Sequence, residues 1–240
     1  MSKKVYIVAT IRPWNINIFN NIISNYPGHW HLITAVKDLT LEKIKQLNPR
    51  YIFFPHWSHI VPRSITDFSE CVCFHETDVP FGRGGSPIQN LIVRGYKETK
   101  ITALRMTKDL DAGPVYLKHR LSLQGRAEDI YIRSSKIIAG IIREIITKEP
   151  VPKPQKGKVV VFQRRTPEQS VIPLKLKAID EIFDYLRMLD AAEYPKAFIE
   201  RGGFRYEFSR PILLRTGVIQ ADVRISKQKS RRKNDFTKLS

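Results

Sequence analysis

The chain has 240 residues, 42% of them hydrophobic, which suits one large domain or one domain with a small appendage, and it carries a net charge of +18. No apolar run approaches the roughly 18 to 20 residues of a membrane span. The opening MSKKVYIVAT passes straight into a strand-like stretch without a cleavage-site pattern, so a cytoplasmic protein with no membrane attachment is expected.

In chain order, KVYIVAT is a short β-rich run, NINIFNNIIS has helical spacing behind Asn15 as a candidate cap, and HLITAV is strand-like. DLTLEKIKQL is helical, YIFF and CVCFH read as buried strands, and KITALRM as a further strand. A helix is predicted from Ser86 to about Arg94, with Ser86 at the N-cap, Pro87 at the first helical position and Gly95 as the stop. AEDIYIRSSKIIAGIIREIITK sets Ile130, Ile137, Ile138, Ile141, Ile142, Ile145 and Ile146 at core-facing helical spacing and closes a first domain over residues 1–147. Strand alternating with helix predicts an α/β fold, a doubly wound, mostly parallel, Rossmann-like sheet.

KEPVPKPQKGK, residues 148–158, reads as an extended linker. Residues 159–225 change in kind: one amphipathic helix, LKAIDEIFDYLRML, lies among short strands, which predicts a small C-terminal α+β appendage. The tail 226–240 is basic, with Lys227, Lys229, Arg231, Arg232, Lys233 and Lys238 against Asp235, and is expected to be disordered. The remaining positive charge is spread over the body. It suits anionic ligands such as nucleic acid, a nucleotide diphosphate or a folate's glutamate tail, and it is equally compatible with a merely solubilising surface.

In open parallel sheets ligands bind beyond the carboxyl ends of the strands. Segments emerging there bring Trp14, Trp57, His75, Arg83, Asp109 and Asp111 to one edge. Gly82, Gly84 and Gly85 before a helix start could cradle an anion, although the spacing is neither a P-loop nor Gly-x-Gly-x-x-Gly. His75 with Asp111 is the best candidate for a histidine held by a carboxylate for proton transfer, against the alternative of a hydrogen-bonded structural histidine. His56 and His59 have no thiols or acids nearby in sequence, and the two cysteines, Cys71 and Cys73, read as buried packing on one strand face, so no metal is expected.

These residues resemble a known family. His75 to Pro80, then Arg83, Gly84 and Pro87, then LDAG at 110–113, are similar to the core of the folate-dependent formyltransferases, and RRTPEQS at 164–170 resembles the segment that opens their C-terminal region. The resemblance spans residues 4–225. It implies transfer of a formyl group from 10-formyltetrahydrofolate to an amine, with His75 accepting the amine proton or stabilising the oxyanion, and Asp111 orienting and charge-stabilising it. A third family residue, an asparagine two before the histidine, corresponds to Cys73 here, a weak donor; Asn90 is the expected substitute. By the same resemblance PHWSHIVP is the loop wrapped round the pterin, with His56, Trp57, Ile60 and Asp109 on the cofactor side. Arg83, Trp14 and Asn15 are expected on the acceptor side, Arg83 contacting a phosphate or the folate carboxylates, or bracing the turn.

The short appendage resembles that of the sugar N-formyltransferases of bacterial surface-glycan pathways, pseudaminic-acid type, so a nucleotide-linked 4-amino-dideoxy sugar, UDP-linked for preference, is the expected acceptor. The high charge favours the alternative, methionyl-tRNA. A non-catalytic folate- or nucleotide-binding protein is the second alternative, carried by Cys73. A homodimer through the C-terminal strands is expected from the family and from exposed strand edges.

Overall fold

A computed structural model describes residues 4–192 and 194–228. The last part of the predicted tail, 229–240, lies outside the described residues. Two compact units divide at Arg165/Thr166.

The first unit is built on a six-stranded sheet. Its strands are β1 (Val5–Ala9), β2 (His29–Ile33), β3 (Tyr51–Phe54), β4 (Cys71–His75), β6 (Glu98–Arg105) and β7 (Val115–Ser122), in the order β2-β1-β3-β4-β6-β7. A short strand β5 (Phe81–Gly84) leaves this sheet and pairs in parallel with β8 (Val160–Phe162). The run β2-β1-β3-β4 is parallel, while β6 and β7 are antiparallel. The helices are α1 (Pro13–Asn21), α2 (Leu41–Leu47), α3 (Arg63–Phe68), α4 (Pro87–Ile92) and α5 (Ala127–Lys148).

Both faces of the sheet are covered, as near-continuous apolar strands require. Ile7, Ala9, Ile52, Phe54 and Cys71 pack on Ile44 of α2 and Ile65 of α3. Residues of the opposite parity, Tyr6, Tyr51, Phe53 and Phe74, form an aromatic row with Trp30. Tyr26 continues it, and Arg143 of α5 stands 6.0 Å from that ring. Each such fully buried side chain stabilises the fold by about 1.5–3 kcal/mol relative to exposure.

The long helix α5 has the predicted bounds. Asp129 closes its start by accepting the Arg126 N–H at 3.0 Å, and Glu149 ends it in the left-handed region at φ 43°. Other local expectations change. Arg12, not Asn15, occupies the N-cap of α1, and Asn15 lies inside the helix and buried. Ser86 precedes α4 in the left-handed region at φ 51°, and its Oγ accepts the Arg165 N–H at 3.0 Å instead of capping the helix. Strand β7 was absent from the sequence pattern because Lys118, His119 and Arg120 interrupt its apolar alternation; all three are exposed. The proline-rich stretch 148–158 is no free linker, since Lys153 exchanges both backbone hydrogen bonds with Val115 at 2.7 and 2.8 Å, and it stays with the first unit.

The second unit contains α6 (Ile179–Arg187) and an antiparallel sheet of β9 (Ala197–Arg201), β10 (Phe204–Leu213) and β11 (Ile219–Lys227), ordered β11-β10-β9. Helix α6 packs on β10, and the Tyr185 hydroxyl donates to the Val171 carbonyl at 2.9 Å. Among the described residues no helix is long and apolar enough to cross a membrane.

Candidate functional site

Strand β4 ends at His75, and two threonines of the neighbouring β6 fix the turn that follows. Thr102 Oγ1 donates to the Thr77 carbonyl at 2.7 Å and Thr99 Oγ1 to the Glu76 carbonyl at 3.2 Å. His75 is 6% exposed. Its Nε2 stands 2.7 Å from the Gly82 carbonyl. A carbonyl can only accept, so Nε2 carries the ring proton and Nδ1 is left with a lone pair. That nitrogen faces Asp111 Oδ2 at 3.5 Å, beyond an ordinary hydrogen bond. A proton arriving on Nδ1 is therefore received between ring and carboxylate.

Asp111 is held from three directions. Its own backbone is in the left-handed region at φ 52°, a conformation that a non-glycine residue keeps only when neighbours impose it. Oδ2 accepts the Gly84 N–H at 3.0 Å. The Gln155 amide donates to the Asp111 and Gly113 carbonyls, both at 2.8 Å, while its oxygen accepts Arg83 Nε at 3.1 Å and Nη2 at 2.8 Å. Arg83 thus braces the turn, and no anion contact is needed to explain its position. Gly84 is required here: its φ is +98°, and a Cβ would stand 2.5 Å from the Phe162 carbonyl oxygen. The anion-cradle reading of the glycines fails for the same reason. Gly84 N–H is committed to Asp111, Gly85 N–H goes to the Phe162 carbonyl at 3.1 Å, and α4 has six residues.

Asn90 does not replace the family asparagine. Its amide nitrogen donates to the carbonyls of Gly85, Ser86 and Gln163, each at 3.0 Å, and its oxygen takes Arg94 Nη1 at 2.8 Å. Cys73 packs against the apolar cluster of Ile7, Ile52 and Phe54. Burial pushes its thiol far up, and the Asp111 charge adds to this, so it stays a neutral thiol.

A second buried histidine lies at the end of the neighbouring strand. His56 Nδ1 receives the Trp14 indole N–H at 3.0 Å and the Asn15 amide at 2.9 Å. Its Nε2 is 2.6 Å from Glu76 Oε1, off the straight hydrogen-bond line. Trp14 also stacks on Tyr131, with centroids 5.2 Å apart and planes at 6°. Trp14 and Asn15 are therefore turned inward on His56, and His56 on Glu76, which corrects their expected acceptor and cofactor contacts. Trp57, by contrast, has a buried indole N–H with no partner, and Ile60 is 96% exposed. Asp109 is exposed on the turn before Asp111.

Gln155 and Glu76 went unread in the sequence. Gln155 is hidden in a proline–lysine stretch and reaches a loop more than forty positions away. Glu76 had a signal in retrospect, as a carboxylate directly after the key histidine on a strand that ends buried.

The family model "Methionyl-tRNA formyltransferase, C-terminal domain" matches residues 167–226. The solved methionyl-tRNA formyltransferase from Clostridium thermocellum is 48% identical, with a TM-score of 0.88, covering 93% of this chain and 99% of that one. A methionyl-tRNA formyltransferase from Caldanaerobacter subterraneus is 30% identical over 144 residues, 59% of this chain and 46% of that protein. The chain spans about half the length of the curated relatives it matches. A 4-N formyltransferase from Francisella tularensis, 15% identical with a TM-score of 0.64 and covering 91% of this chain and 96% of that one, shares the fold alone. The expected nucleotide-linked amino-sugar acceptor is overturned by these likenesses. It rested on the short appendage, and the appendage itself matches the C-terminal domain of the tRNA-directed enzymes.

Proposed function

The chain belongs to the folate-dependent formyltransferase family, and from that premise we propose that it transfers a formyl group from 10-formyltetrahydrofolate to the α-amine of methionyl-tRNA. The acceptor is supported by the 48% identity that runs through 93% of the chain. The net charge of +18 agrees with a polyanionic acceptor.

The observation that carries the chemistry is the free Nδ1 of His75 facing Asp111. The donor, when bound, supplies an activated formyl group on N10: the acceptor nitrogen bonds to the formyl carbon, the carbon–N10 bond breaks, and one proton moves from the amine to N10. His75 takes that proton at Nδ1 and returns it. Asp111, pinned by the Gly84 N–H, stabilises the imidazolium while it lasts. The residues of loop 55–62 fit a pterin. The Trp57 indole N–H is buried and unpartnered and so calls for an acceptor, and the Ile60 side chain offers apolar surface to a flat ring.

Incubation of the protein with 10-formyltetrahydrofolate and methionyl-tRNA, followed by mass analysis of the aminoacyl group, tests the reading. We expect formylmethionine on the tRNA. Folate binding without any formyl gain would sink it and leave a binding protein instead.

A further inference from the structure

The two turns that hold His75 are both tied to one side chain that takes no part in the proton transfer itself. Residues 153–162 run past these turns as a strap. Lys153 exchanges backbone bonds with Val115, the Val160 N–H donates to the Pro80 carbonyl at 3.1 Å, and β8 pairs with β5. Between these fixed points lies Gln155, half-buried.

Its amide can point only one way. Carbonyls only accept and a guanidinium only donates. The nitrogen is therefore the atom 2.8 Å from the carbonyls of Asp111 and Gly113, and the oxygen is the atom that takes Arg83 Nε at 3.1 Å and Nη2 at 2.8 Å. Both N–H groups and both lone pairs of the oxygen are used. The turns so joined serve different nitrogens of the histidine. Arg83 follows directly on Gly82, whose carbonyl meets His75 Nε2 at 2.7 Å, and Asp111 Oδ2 faces Nδ1 at 3.5 Å.

The Asp111 side needs such a tie. Its turn is closed at the base, where the Arg105 N–H donates to the Pro114 carbonyl at 2.9 Å and a Cβ on Gly113 would stand 1.8 Å from the Arg105 carbonyl oxygen. The outer part is held less: Lys108, Asp109 and Leu110 are exposed, and the Ala112 N–H reaches the Asp109 carbonyl only at 3.4 Å. Asp111 stands between tip and base at φ 52°, a conformation that neighbours must impose on a non-glycine residue. Gln155 grips the backbone at that point.

We propose that Gln155 is a positioning residue for catalysis: by yoking the Arg83 turn to the Asp111–Gly113 backbone, it sets the gap between Asp111 Oδ2 and His75 Nδ1 across which the transferred proton is held. It meets Asp111 at the backbone carbonyl and so acts through the aspartate. The proposal rests on the formyl-transfer reading, and its tests separate the two.

Gln155→Met keeps the length of the side chain without its polar groups. We expect kcat to fall roughly 10²-fold, the usual cost of displacing a catalytic group by about 1 Å, with KM for the folate and for methionyl-tRNA little changed. Gln155→Glu still offers Arg83 an acceptor but gives the two carbonyls no donor, and its kcat should fall at least as far. A glutamate variant with wild-type kcat would make the bonds to Asp111 and Gly113 dispensable and overturn the proposal. Amide hydrogen exchange read by NMR without substrate is independent of activity. The Gly84 N–H, which donates to Asp111 Oδ2, should exchange faster in Gln155→Met by roughly tenfold or more, while the Gly85 N–H on the Phe162 carbonyl keeps its protection. Equal loosening of both amides would reduce Gln155 to a general support of the fold, and an unchanged Gly84 would refute its hold on Asp111. If the methionine variant does not fold, wild type decides alone: the side-chain amide protons of Gln155 should be protected, and fast exchange of both would overturn the proposal. If wild type transfers no formyl group, the functional reading fails while the exchange measurements still decide whether Gln155 fixes Asp111.

Discussion

The loops that follow β3 and β4 begin alike and end differently. Each opens with a buried imidazole at the carboxyl edge of a parallel strand. His56 accepts at Nδ1 from Trp14 and Asn15 and sets its Nε2 against the Glu76 carboxylate at 2.6 Å. His75 has Nε2 engaged by the Gly82 carbonyl and keeps Nδ1 free before a carboxylate that stops at 3.5 Å. A histidine whose ring is saturated holds structure, whereas one with a spare lone pair beside a fixed anion can move a proton. Burial does not distinguish the two residues; the donors and acceptors round each ring do.

Exchanging the two histidines' roles by mutation is the sharpest way to break this contrast. His75→Asn should lower turnover by about 10²- to 10⁴-fold, the usual worth of a general acid–base group, while the melting temperature stays close to wild type because the Gly82 carbonyl keeps the Thr77 hydroxyl as a donor. Retention of most turnover would remove His75 from the mechanism. His56→Leu should act first on the fold. It strands the Trp14 indole N–H and leaves Glu76 buried without its partner, so urea unfolding should show a loss of about 3–5 kcal/mol. A loss below about 1 kcal/mol would mean that the network round His56 is not holding the loop together.

The same contrast explains what the sequence could and could not reveal. The parallel strands, α5 and the meeting of His75 with Asp111 were legible, because apolar periodicity and an ordered set of motifs are local signals. Strand β7 was missed where three charged residues break its pattern at an exposed edge. Asn15 and Asn90 were assigned to ligands because an amide's direction is invisible in sequence; in the fold one supports His56 and the other ties three carbonyls together. Arg83 and Asp111 meet through Gln155, whose contacts cross more than forty residues and leave no periodic trace. The acceptor was misjudged from the length of the appendage, a property that does not determine its kind: residues 167–226 match the C-terminal domain of methionyl-tRNA formyltransferases despite that shortness.

Proton transfer at His75 requires Nε2 to carry the ring proton and Nδ1 to be bare, as at His56. Long-range 1H–15N NMR of histidine-labelled protein, at a pH where both rings are neutral, reads this directly. For both histidines it should report the Nε2–H tautomer. A His75 protonated on Nδ1 in its neutral form would contradict the assignment of His75 Nδ1 as the proton acceptor.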